Sequence, residues 1–153
     1  MDAMLLPVLA AEDEETDGYL LRLAFERARL GCPLVVVRDG QEAVDYLSGD
    51  GQYCDRAAHP LPGLLLLDLK MPRLTGFDVL AWLAMRPEFR DLPVVVLSSS
   101  SDQSDMEKAT AMGARDYIVK PHRFSEFVKV VQSVYNRWLG GAARQSEAAI
   151  AVS

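Results

Sequence analysis

Two cysteines in 153 residues exclude a disulfide scaffold as the source of stability. Cys32 and Cys54 form no C-x-x-C pair and match no metal-ligand spacing. Cys54 and His59 lie close in sequence, but one thiol and one imidazole in a polar loop do not make a zinc site. Both cysteines read as free thiols, which suits a reducing cytosol and a cytoplasmic protein. No stretch approaches the roughly 18 apolar residues of a membrane span. Runs of basic residues are also missing. Lys and Arg total 16 against 22 Asp and Glu, a net charge of −6. That balance argues against a nucleic-acid partner and against docking on an anionic membrane. The apolar start, residues 1–11, has no Lys or Arg ahead of it and an acid cluster directly after it, so it reads as a first strand rather than a secretion signal. The chain lacks both the G-x-x-x-x-G-K-[ST] loop and a G-x-G-x-x-G turn after a strand, which removes the common nucleotide cradles.

What is present fits one globular domain. Half of the residues are hydrophobic and 25% are charged. A chain of this length buries roughly 68–70% of its unfolded surface, enough for one core. Short, branched-rich apolar runs recur at 6–11, 34–37, 64–67, 94–97 and 117–119. Continuous rather than alternating runs are the pattern of strands covered on both faces. Helical spacing fills the segments between and after them, at 17–30, 40–47, 76–85, from Ser104 onward and at 125–139. Ser104 and Glu107 read as a capping box, and Gly140-Gly141 as a helix stop. Alternation of strand and helix, five times over, predicts an α/β fold with a parallel, doubly wound sheet. Residues 49–62 read as a long polar loop. Residues 140–153 read as a flexible tail after a domain spanning 1–139, with no output domain behind it. The fifth helix carries more apolar residues than one stripe needs, including Val130 beside Val131, and Trp138. That surplus fits a wide core-facing stripe or a homodimer through strand five and helix five equally well.

Ligands of open parallel sheets bind beyond the carboxyl ends of the strands. Those ends carry Glu12-Asp13-Glu14-Glu15, Asp68-Leu69-Lys70, Ser98 through Ser101, and Lys120-Pro121. If strands one and three are neighbours, Glu12, Asp13 and Asp68 converge. Clustered carboxylates repel one another and persist most readily around a hard cation such as Mg²⁺. A hydroxyl (Ser98) and an ammonium (Lys120) opposite would suit phosphoryl oxygens, and a carboxylate can itself accept a phosphoryl group. Each feature alone has a plain structural reading, as a solvated helix start, a turn former, a polar loop or a surface lysine. Together they read as a phosphoryl-accepting site.

These residues carry a family resemblance. Glu12-Asp13, the Leu65–Pro72 run Leu-Leu-Leu-Asp-Leu-Lys-Met-Pro, Gly76, Pro93-Val-Val-Val-Leu-Ser98, Gly113-Ala114 and Tyr117-Ile-Val-Lys120-Pro121 resemble the receiver domain of two-component response regulators. The long loop before strand three and the ending Tyr135, Trp138, Leu139 resemble small stand-alone regulators that serve phytochrome-type histidine kinases. The resemblance implies a flavodoxin-like sheet of order 2-1-3-4-5. It implies Asp68 as phosphoacceptor and Asp13 as a direct Mg²⁺ ligand. Glu12 would act through water, and the backbone carbonyl of Lys70 would be a further ligand. It implies Ser98 as switch hydroxyl, Lys120 as the partner of the phosphoryl group, a cis bond before Pro121, and Tyr117 as switch aromatic. The implied partners are a sensor histidine kinase or phosphotransfer protein and a downstream protein.

The Lys70 side chain and His122 depart from the usual pattern, where smaller or apolar residues are frequent. Lys70 lies near the approach path of attacking water, which leaves the lifetime of a phosphoryl-aspartate open. Two other classes compete. A receiver-like adaptor that has lost phosphorylation would usually lack one of the acids or the lysine, and all are present. An aspartate-nucleophile phosphatase needs a second acid two residues past its nucleophile, where this chain has Lys70.

Overall fold

A computed structural model describes residues 6–140. The expected tail from 141 onward, and residues 1–5, lie outside the described residues. Five strands, β1 (Val8–Ala11), β2 (Leu34–Val37), β3 (Leu64–Leu67), β4 (Val94–Ser98) and β5 (Asp116–Val119), form one parallel sheet of order β2-β1-β3-β4-β5. The helices between and after them are α1 (Glu15–Arg27), α2 (Gly40–Ser48), α3 (Gly76–Ala84), α4 (Gln103–Ala111) and α5 (Phe124–Tyr135).

Every residue of β1, β3 and β4 is buried, whereas the edge strands β2 and β5 are only partly so. The two-residue period of a strand explains how this divides. Leu9, Ala11, Leu65, Leu67 and Val96 point to one face, against Ala43, Leu47, Val79, Leu80 and Ala109 of α2, α3 and α4. Val8, Ala10, Leu64, Leu66, Val95 and Leu97 point to the other, against Leu21, Ala24 and Phe25 of α1 and Phe127, Val131 and Val134 of α5. Continuous apolar runs are therefore required, because both faces are covered.

Several boundaries differ from the sequence expectation. β1 starts at Val8, since Leu6 is exposed and Pro7 has no N–H to pair. α1 starts earlier, at Glu15, and stops at Arg27, where Arg29 adopts φ 56°. α4 is capped by Asp102, whose carboxylate accepts from Ser104 N at 3.1 Å, so Ser104 is inside the helix and not its cap. The Asp102 carboxylate, two residues back, takes the Ser104 N–H that the Glu107 side chain of a capping box would accept. α5 passes at Asn136 into a π-helical turn, Asn136–Gly140.

Segment 49–62 is more ordered than a polar loop. It holds a 3₁₀ turn, Gly51–Tyr53, with Tyr53 buried against Tyr46 at 4.8 Å between ring centroids. The Arg56 guanidinium donates to the carbonyls of Tyr46 (2.7 Å), Leu47 (2.6 Å) and His59 (3.1 Å), closing the carboxyl end of α2. Val130 of α5 and Trp138 of the π-helical turn pack against the core of their own chain. Among the described residues, no helix is long and apolar enough to cross a membrane.

Candidate functional site

Strand register builds the site. Ala11 pairs with Leu67 across the β1–β3 ladder. That ladder runs one step past β3, because Asp68 N donates to Ala11 O at 3.2 Å, and the β1–β2 ladder runs one step past β1, because Glu12 N donates to Val37 O at 2.9 Å. Glu12 and Asp68 thereby emerge side by side at the carboxyl rim, both buried, with Asp13 exposed next to them. One carboxylate oxygen from each of Glu12, Asp13 and Asp68 falls within 4.8 Å of the others. On the far side, Ser98 pairs with Val119, and Lys120 N donates to Ser98 O at 2.8 Å. Lys120 is thus brought to the same rim.

The Lys120 ammonium lies 2.8 Å from Glu12 Oε2, 3.1 Å from Asp17 Oδ2 and 3.7 Å from Asp68 Oδ2. Burial would lower the Lys120 pKa, but the charges of Glu12 and Asp68 and the hydrogen bond to Asp17 outweigh it and move it up. Burial pushes the Glu12 carboxyl above the usual carboxylate range, against the pull of Lys120. The balance is one ammonium among four carboxylates, an arrangement that a divalent cation would relieve. All-oxygen donors with an exposed side suit Mg²⁺ or a similar hard ion. The residues present therefore fit such a metal.

The β3–α3 connection is held tightly. Gly76 N donates to Leu69 O at 2.9 Å. A Cβ at Gly76 would collide with Asp68 O and lie 2.8 Å from Leu69 Cα, so only glycine lets α3 start this close to Asp68. Lys70 is exposed, and its N–H points at Asp68 Oδ1 from 3.4 Å. Ser98 is fully buried, and its Oγ accepts from Ser100 N at 3.1 Å. Tyr117 OH donates to Ser100 O at 2.9 Å. Ser98 and Tyr117 therefore meet through one residue.

The structure brings together Glu12, Asp13, Asp68 and Lys120, with Ser98 on the neighbouring strand end. The expected cis bond before Pro121 is not found, since no cis peptide occurs among the described residues. Trans is the lower-energy form of an X-Pro bond by about 0.5–1 kcal/mol, and Lys120 reaches its partners from it. Sequence reasoning missed Asp17, in the first turn of α1, and Ser100 as the shared partner of Ser98 and Tyr117. No local spacing pointed to the first, because Asp13 lies outside α1, and nothing in the serine run singled out the second.

Residues 8–132 match the response regulator receiver domain family. The chain is 30% identical over 132 residues to response regulator Rcp1 of Synechocystis sp., covering 86% of this chain and 88% of that protein. The Mn²⁺-bound form of Rcp1 aligns with a TM-score of 0.77 at 30% identity, over 88% of this chain and 94% of that one. Response regulator RPA3017, in red light signalling of R. palustris, aligns with a TM-score of 0.84 at 36% identity, over 88% and 94% of the two chains. The phosphorylated cyanobacterial phytochrome response regulator RcpA does so with a TM-score of 0.80 at 32% identity, over the same shares, 88% and 94%.

Proposed function

The chain belongs to the response regulator receiver domain family, and from that premise we propose that it is a switch controlled by phosphorylation of Asp68. The donor is a phosphohistidine on a sensor histidine kinase or a phosphotransfer protein. An Asp68 carboxylate oxygen attacks phosphorus, the new O–P bond forms, and the N–P bond to the donor imidazole breaks. The protein turns over no free substrate in this reading, and its chemistry is confined to self-phosphorylation and autodephosphorylation.

Asp13, Asp68 and the Lys70 backbone carbonyl would hold Mg²⁺ directly, and Glu12 through water. Bound there, the cation supplies neutralisation of the charge gathered by carboxylates and phosphoryl oxygens. The chain's own residues do the rest. Lys120 pairs with the phosphoryl oxygens, and the Ser98 hydroxyl turns from Ser100 N to donate to one of them. That turn alters the Ser100 backbone on which the Tyr117 hydroxyl rests. Tyr117 turns inward, and the surface of α4, β5 and α5 is redrawn for a downstream protein.

The observation that carries this reading is the register that sets Glu12 and Asp68 side by side with the Lys120 ammonium 3.7 Å from Asp68. The phytochrome response regulator RcpA, and RPA3017 in red light signalling, support a kinase of the phytochrome type as donor. The free thiols support a cytoplasmic location. A homodimer through β5 and α5 is proposed as well, because β5 is an edge strand with Val119 exposed. Sedimentation at rising concentration, with and without phosphorylation, tests it, and a monomer throughout removes it. For the switch, the test is intact mass after incubation with acetyl phosphate. A gain of one phosphoryl group that needs both Mg²⁺ and Asp68 is expected. Labelling of Asp68→Asn at the wild-type rate, or no labelling while a known receiver labels, overturns the reading in favour of a constitutive adaptor.

A further inference from the structure

The Lys120 ammonium has three protons to give. Its hydrogen bonds go to Glu12 Oε1 at 3.0 Å and to Asp17 Oδ2 at 3.1 Å, and Glu12 Oε2 stands 2.8 Å away. Asp68 Oδ2, at 3.7 Å, is beyond hydrogen-bond reach. Two carboxylates, one at the end of β1 and one in the first turn of α1, therefore hold the ammonium off the phosphoacceptor.

The two holders differ in what release would require. The Glu12 side chain is 3% exposed, so losing its cation would strand a buried carboxylate. The Asp17 side chain is 34% exposed, and water can replace the lysine at its oxygen. A lysine that must reach a new dianion on Asp68 will give up Asp17 first. We propose that Asp17 is a positioning residue for Lys120: it tethers the ammonium toward α1 in the unphosphorylated protein and is the contact released when the phosphoryl group arrives. This rests on the phosphoryl-switch reading above. Release also has a place to act. Asp17 and Lys120 line a recess of 260 Å³ together with Leu20, His122, Phe124 and Phe127, where α1 faces the β5–α5 connection. The tether joins these two elements across 103 residues of chain, so phosphorylation uncouples them at that corner.

The plain alternative is that Asp17 only complements the α1 dipole, as any first-turn acid does. Glu15 occupies the same turn, is exposed, and makes no ion pair among the described residues, so E15Q removes a like charge without touching Lys120. Two measurements on wild type, D17N, D17E and E15Q separate the cases. In metal-free protein, the ¹⁵N signal and proton exchange of the Lys120 ammonium report the tether directly. Faster exchange in D17N, restoration in D17E and no change in E15Q are expected. With Mg²⁺ and beryllofluoride as phosphoryl analogue, D17N should bind the analogue at least threefold more tightly, with Mg²⁺ affinity alone matching that of E15Q. An unmoved ammonium signal, or analogue binding in D17N equal to or weaker than in E15Q, overturns the tether. A wild-type protein that takes no analogue, while its ammonium signal still responds to D17N, overturns the switch reading and the release step and leaves only the hold.

Discussion

The Asp39 carboxylate holds two segments at once. Its Oδ1 accepts from Glu42 N at 2.8 Å, capping α2, and its Oδ2 accepts from Arg73 at 2.9 Å (Nε) and 2.7 Å (Nη2). Arg73 lies on the loop that follows Asp68 and adopts φ 65°. Gly40 N reinforces the link by donating to Leu74 O at 3.1 Å. The β2–α2 turn thus braces the loop behind Asp68.

Arg73 separates two effects. Its side chain is 64% exposed, so the pair itself contributes at most about 1 kcal/mol. A left-handed backbone costs a non-glycine residue roughly 1–2 kcal/mol. Arg73→Ala loses the pair and keeps the backbone strain, whereas Arg73→Gly loses the pair and relieves the strain. Urea unfolding should therefore find Arg73→Gly more stable than Arg73→Ala by about 1 kcal/mol. The reverse order would mean that the freedom glycine adds to the unfolded chain outweighs the strain relieved at this turn.

Ser98 and Tyr117 are predicted to be coupled through Ser100. Ser98→Ala leaves a backbone N–H without its acceptor, at a cost of about 1–2 kcal/mol, and Tyr117→Phe removes a bond worth about 1 kcal/mol. Because both act on one peptide segment, the double mutant should depart from additivity by about 0.5 kcal/mol or more. A double-mutant cycle by denaturant melts checks this. Additive losses would show that the two side chains sense Ser100 independently.

Metal binding should register as stability. At free Mg²⁺ tenfold above its dissociation constant, linkage gives about 1.4 kcal/mol of added stability. Asp13→Asn should abolish that increment. The metal-free protein should not suffer, because Asp13 is exposed and its removal relieves repulsion from Glu12 and Asp68. Thermal melts with Mg²⁺ and with chelator decide it, and an undiminished increment in Asp13→Asn would exclude Asp13 as a ligand.

Arg56 is expected to matter for the fold and not for the chemistry. Its fork on Tyr46 O and Leu47 O should be worth about 1–2 kcal/mol, the low end for charged donors because the site is partly exposed. Arg56→Lys should recover less than half of what Arg56→Ala loses, since a single ammonium cannot span two carbonyls in that plane. Phosphorylation by acetyl phosphate should proceed at the wild-type rate in both. A slowed rate would show that this loop communicates with the opposite rim.

The sheet was legible because burial on both faces leaves an uninterrupted apolar signature, and β2 and β3 fall on the expected residues. The candidate site was legible because parallel strands deliver their ends to one rim, so Glu12, Asp68, Ser98 and Lys120 could be found by position alone. Contacts between elements distant in sequence were not. The reach of Lys120 to Asp17, and of Arg73 to Asp39, depends on side-chain paths that no local pattern encodes. The start of α4 was misread because Ser104-x-x-Glu107 satisfies the capping pattern, while the Asp102 carboxylate reaches Ser104 N itself. The loop at 49–62 looked structureless because its order comes from aromatic contacts and one guanidinium, neither of which is periodic.

The backbone pairing that continues one step past β1 (to β2) and past β3 (to β1) constrains how chain length can vary. Inserting or deleting one residue in either strand would turn Glu12 or Asp68 from one side of the sheet to the other. At the rim where the acids emerge, spacing along the strands is therefore constrained by the site. The segment at 49–62 enters β3 from its amino end, at the opposite rim. There the chain can lengthen, shorten or acquire its own small aromatic core without altering the reach of any carboxylate. One edge of the sheet keeps a fixed gauge, and the other is where relatives of this protein are free to diverge in length.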